Sequence, residues 1–390
     1  MAAPKRKLWK ILLVAFILLN ILLYATGKIY YYKALIYNYV DIDDLDLFPT
    51  REIAAGTGEP WNIGTDYNKT KLTPLLEETL NKYKSIAFLV IKNDSIRYEQ
   101  YWENYGETSL SNSFSMAKSF VGTLTGIALA EGKIKSLDEP VCNYLKWMCG
   151  EKESKITIRD LLTMSSGLNW DEGYASLTSE VTRLYYDKHL DKQMMDLKAA
   201  VEPGKEYNYM SCNTELLAFV LREATGLTVS EYASEKLWKP MHAEQPAQWS
   251  LDEEGGMEKA YCCIYSNARD FARLGKLFLQ KGRWGDTQVV PESYVNESLT
   301  AAALTDNGKP NKIYGYQWWL TRVRNEDVFY ARGILGQYIF VIPSQNIICV
   351  RLGHKRGEKD PDGELLDVPV YLEEVMKLFA SPDTSATVLN

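Results

Sequence analysis

In the string Ser115-Met116-Ala117-Lys118 a hydroxyl and an amine stand three residues apart. On a helix that spacing puts both side chains on one face, a turn apart. A lysine takes the proton of a serine hydroxyl when its amine is neutral, and burial favours the neutral form. A helix N-terminus beside them favours the negative charge that develops on the hydroxyl and on an attacked carbonyl. The chemistry implied is attack on an ester or amide carbonyl, with a covalent acyl-serine intermediate. Taken alone the string is weak, because most such pairs are ordinary solvated helix starts.

The surrounding residues supply the elements such a pair needs. Phe120, Leu124 and Ile127 recur at helical spacing after Ser115, and Gly132 can end that helix. Upstream, Leu72, Leu75, Leu76 and Leu80 mark a helix over 71–84. The runs 86–91 and 96–102 flank an Asn93–Asp94 turn and read as a hairpin. Late in the chain come strand candidates at 316–323, 328–332, 337–342 and 347–352, then an amphipathic helix over 366–380. Strands early and late with helices between them predict an α+β fold. One antiparallel sheet, from 85–102 and 316–352, is flanked by helices and carries an inserted, mostly helical region at about 131–250.

The order of strings resembles the serine β-lactamase and penicillin-binding-protein superfamily over roughly residues 75–380. It is most similar to the class C β-lactamase branch with its esterase and 6-aminohexanoate-oligomer hydrolase relatives. Ser-x-x-Lys is a signature of the superfamily. The run 156–168 (ITIRDLLTMSSGL) resembles the long central landmark, and 203–211 (PGKEYNYMS) resembles the second catalytic motif, Tyr-x-Asn or Tyr-x-Ser. Residues 266–275 (SNARDFARLG), 314–319 (YGYQWW) and 333–337 (GILGQ) complete the series.

The resemblance implies a β-lactamase/transpeptidase-like fold with Ser115 as nucleophile, Lys118 as its base partner and Tyr209 as second proton carrier. Tyr207 is the rival in register, and Ser211 at the expected spacing favours Tyr209. Lysine and tyrosine in such a site titrate as a coupled pair. The oxyanion hole falls to the backbone N–H groups of Ser115 and Gln337, with Gly336 allowing close approach. Ser211, Trp318, Ile334 and Gly336 are the expected substrate contacts. No metal or cofactor is called for. The third family motif, Lys-x-Gly or His-x-Gly, reads here as Ile334-Leu335-Gly336. Isoleucine cannot attract a carboxylate, which weighs against β-lactam and D-Ala–D-Ala substrates. Arg332 is the substitute cation, with its strand phase open.

The N-terminus adds a location. Lys5, Arg6 and Lys7 precede an apolar run from Leu8 to Thr26 broken only by Lys10 and Asn20. Nineteen residues make a helix of roughly 28 Å, about a bilayer core. Tyr30, Tyr31 and Tyr32 follow like an interfacial belt. An uncleaved anchor is favoured over a cleaved signal peptide, and the basic flank leaves the rest extracytoplasmic, periplasmic or extracellular. The expected organisation is a flank and anchor at 1–27, a tether at 28–70 and the hydrolase domain at 71–385.

Composition excludes other classes. Forty-four basic and 51 acidic residues leave a net charge of −7, without a basic stripe for nucleic acid. Six cysteines form no Cys-x-x-Cys pair, and the three histidines form no His-Glu-x-x-His string. Cys142 and Cys149 can pair in an oxidising compartment, Cys262–Cys263 reads as buried strand filling, and His242 as a turn residue. The function expected is hydrolysis of a small or peptide-like ester or amide. The alternatives are a non-catalytic or weakly active cell-wall or peptide binder on the same fold, and a β-lactamase or D,D-peptidase.

Overall fold

The computed structural model describes residues 3–37, 39–360 and 365–379. The apolar run forms helix α1 (Ala3–Ala25), whose membrane-length stretch Lys7–Ala25 has no buried residue. A short helix, α2 (Tyr31–Tyr37), follows and buries Ala34. Next come β1 (Thr50–Ile53) and β2 (Asn62–Ile63). Helix α3 (Pro74–Lys82) starts where the Thr73 hydroxyl accepts the Leu76 N–H at 3.2 Å. The expected hairpin is β3 (Ser85–Lys92) and β4 (Ser95–Tyr101), turning through Asn93 and Asp94, both at positive φ.

β5 (Ser111–Asn112) leads into α4 (Ala117–Ala130), and α5 (Ser211–Thr225) packs against α4. β6 (Ala247–Ser250) and β7 (Ile264–Ser266) precede α6 (Ala268–Leu279). The late strands are β8 (Trp319–Val323), β9 (Glu326–Gly333), β10 (Gln337–Ile342) and β11 (Ile347–Gly353), and α7 (Asp367–Phe379) ends the described chain.

The main sheet has seven strands in the order β8-β9-β10-β11-β3-β4-β2. Only the β2–β4 pair is parallel. β11 pairs with β3, Val350 opposite Leu89, so the middle of the sheet is made from opposite ends of the chain. Every residue of β3, β10 and β11 is buried, as a sheet covered on both faces requires. α6 lies on one face, close enough that a Cβ on Gly275 would meet Ile339, Val341 and Ile348 at 3.0–3.2 Å. α3 and α7 cover the other. A second, four-stranded sheet runs β1-β6-β7-β5.

Several expectations need correcting. Residues 28–70 are no loose tether: Tyr30, Ala34, Ile42, Phe48, Ile53 and Trp61 all join the main core. Apolar residues scattered singly among aspartates and glycines show no period, although each has its own core site. The first late strand begins at Trp319, not Tyr316, because Gln317 takes a left-handed φ of 60° and its amide bonds the Leu161 and Leu162 carbonyls. The helices of the inserted region are mostly short: between Glu131 and Ser250, α5 and the continuous α/π segment Val229–Trp238 are the ones of more than two turns among the described residues. Finally, Cys262 and Cys263 are not mere filling: they are bonded to each other, and Cys142 to Cys149.

Candidate active site

Ser115 lies where the second sheet feeds α4. β5 pairs with β7 (Ser111 opposite Ser266, Asn112 opposite Tyr265), fixing the chain up to three residues before the serine. Asn112 Oδ1 accepts the Phe114 N–H at 2.9 Å. Phe114 then adopts a left-handed φ of 42°, an uncommon state for a bulky residue that the surrounding bonds hold in place. Ser115 follows in a single 3₁₀ turn (Phe114–Met116) that runs into α4. The first residues of such a turn have N–H groups with no helical acceptor.

Lys118 is 1% exposed. Its Nζ lies 3.1 Å from Ser115 Oγ, 3.1 Å from Ser211 Oγ and 2.8 Å from the Tyr261 carbonyl. Three acceptors match the three protons of an ammonium. To receive the Ser115 proton, the amine must first pass one of its own to a neighbour. The ring of Tyr209 lies 5.2 Å from Nζ and that of Tyr261 5.4 Å. Tyr207 makes no such approach. It stacks on Tyr314 at 5.2 Å, and burial pushes its hydroxyl pKa well up. Of the two register alternatives, Tyr209 is the one beside the lysine.

Two residues here have no sequence signal. Glu172, on a loop without periodic pattern, accepts both the Ser211 hydroxyl (2.6 Å) and its N–H (2.8 Å). It also accepts Trp170 Nε1 and the Tyr174 hydroxyl, each at 2.6 Å. Tyr261 lines the cavity beside Ser115, and its buried hydroxyl has no hydrogen-bond partner among the described residues. Burial and the carboxylates Glu215 and Glu172 push its pKa well up, so it is a neutral donor.

The glycine hairpin is displaced from its expected register. A Cβ on Gly333 would lie 2.3 Å from the Ser113 carbonyl, so Gly333 is where the late sheet closes on the serine turn. Gly336 instead abuts the Arg351 guanidinium. Gln337 is fully buried, with its amide bonded to Gly353 O at 2.6 Å, and neither residue lines the cavity. Ile334 and Leu335 do line it. Trp318 is also removed from the site, packed between Phe278 and Phe329. Strand alternation gives its neighbour Trp319 the other face, 5.5 Å from Tyr209.

Arg332 settles on that same side. Its guanidinium lies 3.3 Å from the Trp319 ring centre and forms no ion pair among the described residues. His242 stacks on Trp284, in a turn. The ligand atoms of Asp41, Asp43 and His354 fall within 4.8 Å of one another at the surface. His354 is engaged there by Asp41 at 3.1 Å and Glu103 at 3.2 Å.

The cavity beside Ser115 measures about 590 Å³ and also takes in Ser211, Tyr174 and Tyr261. The chain is similar to known proteins. A family model described as Beta-lactamase matches residues 75–368. The 6-aminohexanoate-dimer hydrolase of Paenarthrobacter ureafaciens is 28% identical over 360 residues, covering 85% of this chain and 90% of that protein. A Bacillus anthracis protein provisionally assigned as a 6-aminohexanoate-dimer hydrolase superposes with a TM-score of 0.75 at 22% identity, over 88% of this chain and 93% of its own. A D-stereospecific amidohydrolase from Streptomyces sp. superposes with a TM-score of 0.57 at 18% identity, over 72% and 94%. At these identities the two structures speak for the fold.

Proposed function

Since the chain belongs to the beta-lactamase family of serine hydrolases, we propose that it is a membrane-anchored hydrolase of esters or amides, acting outside the cytoplasm through an acyl-enzyme on Ser115. The observation that carries this reading is the Lys118 amine, buried and 3.1 Å from both Ser115 Oγ and Ser211 Oγ. Ser115 Oγ attacks the carbonyl carbon while its proton passes to the Lys118–Tyr209 pair. The oxyanion is met by the N–H of Ser115 and by the main chain at Ile334–Leu335, which replaces Gln337 in that role. The pair then protonates the departing alcohol or amine. Water attacks the acyl carbon and gives its proton to the same pair, the acyl–Oγ bond breaks, the pair returns that proton to Ser115 Oγ, and the freed acid leaves.

Arg332 supplies the cation that the Ile334-Leu335-Gly336 reading lacks. It stands against the ring of Trp319, which in turn packs on Tyr209, and forms no ion pair among the described residues. Substrates with an anionic group near the scissile bond are therefore compatible with the site. The basic flank and the bare apolar helix α1 support anchoring with the domain outside.

The test is intact-protein mass after treatment with a fluorophosphonate. Wild type should gain one phosphonyl adduct and hydrolyse nitrophenyl acetate, and Ser115→Ala should do neither. Labelling that persists in the variant sinks the nucleophile. Labelling without turnover of any ester or amide would make the chain a binder on the same fold.

A further inference from the structure

The cavity at Ser115 is larger and more apolar than the chemistry requires. Its 590 Å³ would hold a drug-sized ligand. Phe114, Val181, Tyr185 and Tyr186 line it without touching the lysine or the nucleophile's proton path. One wall comes from outside the segment matched by the family model. Ala34, Tyr39 and Val40 line the same cavity, and they come shortly after the membrane-length helix in the chain. Ala34 is 1% exposed, held in the body of the domain.

Eight residues, 26–33, separate α1 from Ala34, a reach of about 30 Å even if fully extended. They are not extended. Gly27 takes a φ of 66°, the Lys28 N–H donates to Leu23 O at 2.7 Å and the Gly27 N–H to Tyr24 O at 3.1 Å. That is the bond pattern of a left-handed helix stop. Tyr31 N–H then donates to Lys28 O, so α2 begins within one turn. The wall of the cavity is thus tied closely to the end of the anchor.

The mouth also carries exposed apolar and aromatic side chains. Tyr39 (80% exposed), Tyr174 (49%) and Leu177 (39%) line the cavity while facing outward. Leu35 and Ile36, beside Ala34 on α2, are also exposed. Asp41, His354, Lys355 and Arg356 line the cavity too, so apolar side chains and charged groups stand together at this mouth. Exposed apolar side chains gathered at one place mark an interaction site, and tyrosines are favoured at a lipid interface. The covering partner is set by connectivity, because the membrane that holds α1 begins a few residues away.

We infer that the substrate is a bilayer amphiphile, an ester or amide bearing a long unbranched hydrocarbon chain, taken from the membrane in which the protein is anchored. The chain fills the apolar cavity, and the scissile carbonyl lies at Ser115. This rests on the hydrolase reading proposed above and on α1 as the anchor.

Full-length protein in phosphatidylcholine vesicles, assayed with nitrophenyl acetate, hexanoate and decanoate below their aggregation limits, tests it. Each added methylene that enters the cavity should raise kcat/KM by about three- to fourfold. Decanoate should therefore exceed acetate by at least about 100-fold in wild type. Ala34→Trp and Leu177→Asp should each cut the decanoate-to-acetate ratio by about tenfold or more. A flat chain-length profile with measurable acetate turnover overturns the inference and leaves the hydrolase reading intact. Absence of turnover together with absence of Ser115 labelling overturns both. A second arm uses a phospholipid with a fluorogenic acyl ester that does not exchange between vesicles. Substrate in the protein's own vesicles should be consumed at least about tenfold faster than substrate in added protein-free vesicles, and equal rates overturn the membrane source.

Discussion

Lys118, on the floor of the site, has three acceptors within 3.1 Å and almost no exposed surface. Leu177 and Tyr39, at its rim, present apolar surface to the outside. The floor is fixed from several elements at once: the 3₁₀ turn before α4 gives Ser115, α4 gives Lys118, α5 gives Ser211, and the segment before β7 gives the Tyr261 carbonyl. The rim is drawn from two segments with little regular structure of their own. The difference separates two tasks. Proton transfer needs groups held within a few tenths of an ångström, whereas accommodating a hydrocarbon needs only area and room. Glu172 joins the two regions, because its loop carries Tyr174 on the rim while its carboxylate grips Ser211 on the floor.

Removing the floor's amine is the strongest way to test this division. Lys118→Ala should lower kcat on nitrophenyl acetate by about 10²–10⁴-fold, with KM within about threefold. A variant that changed KM and kept kcat would break the comparison. Next in size is the link between the regions. Glu172→Gln removes a charged acceptor from Ser211, a bond worth about 1.5–3 kcal/mol. That predicts about a 10- to 100-fold loss in kcat/KM, with Glu172→Asp recovering part of it. If Glu172→Gln altered only long-chain esters, Glu172 would belong to the rim alone.

The smallest effect lies beneath the floor. The Glu215 carboxylate accepts the N–H groups of Ala260 (2.8 Å) and Tyr261 (3.3 Å), and so supports the carbonyl that Lys118 uses. Burial pushes its pKa up to about 8, and burial pushes that of nearby Lys259 down to about 8. From the usual carboxylate range up to pH 8, the folded state keeps a Glu215 proton that the unfolded chain has released. Stability therefore falls as pH rises through that window. Above pH 8 the folded Lys259 is neutral while the unfolded lysine still holds its proton, so stability rises again toward pH 10. Chemical denaturation between pH 5 and 10 should show a minimum near 8. Glu215→Gln should flatten the acidic side by on the order of 1 kcal/mol or more. A profile unchanged by that substitution would remove Glu215 from this role.

Much of the molecule is legible in its sequence where a period or a turn residue repeats. The β3–β4 hairpin, β9 to β11 and α7 follow from alternation and apolar stripes. The Ser115–Lys118 pair is legible because one helical turn is enough to join them. Other features depend on distances that no spacing encodes. Gly333 and Gly336 flank the same short loop, and only the close approach to Ser113 identifies which one meets the serine turn. Trp318 and Trp319 are adjacent and chemically alike, and the start of β8 at Trp319 decides which faces Tyr209. Ile42, Phe48 and Trp61 are isolated in a polar stretch, so their burial waits on neighbours more than 50 residues away. Glu172 acts through a fold-back that brings its loop to the start of α5, without local pattern.

The pairing of β11 with β3 also sets a schedule. On a ribosome adding roughly 5–20 residues per second, β3 and β4 emerge tens of seconds before the strands that fill the sheet beside them. Through that interval the β3 edge, Ser85–Lys92, is open, and an open apolar edge invites pairing with other chains. Helix α1, by contrast, precedes β3 in the chain and is complete before that edge emerges. With α1 as the anchor proposed above, a nascent chain held by that helix would meet few copies of itself while it waits, and early attachment would act as a kinetic guard on a late-closing sheet. Residue 353 is where that waiting ends.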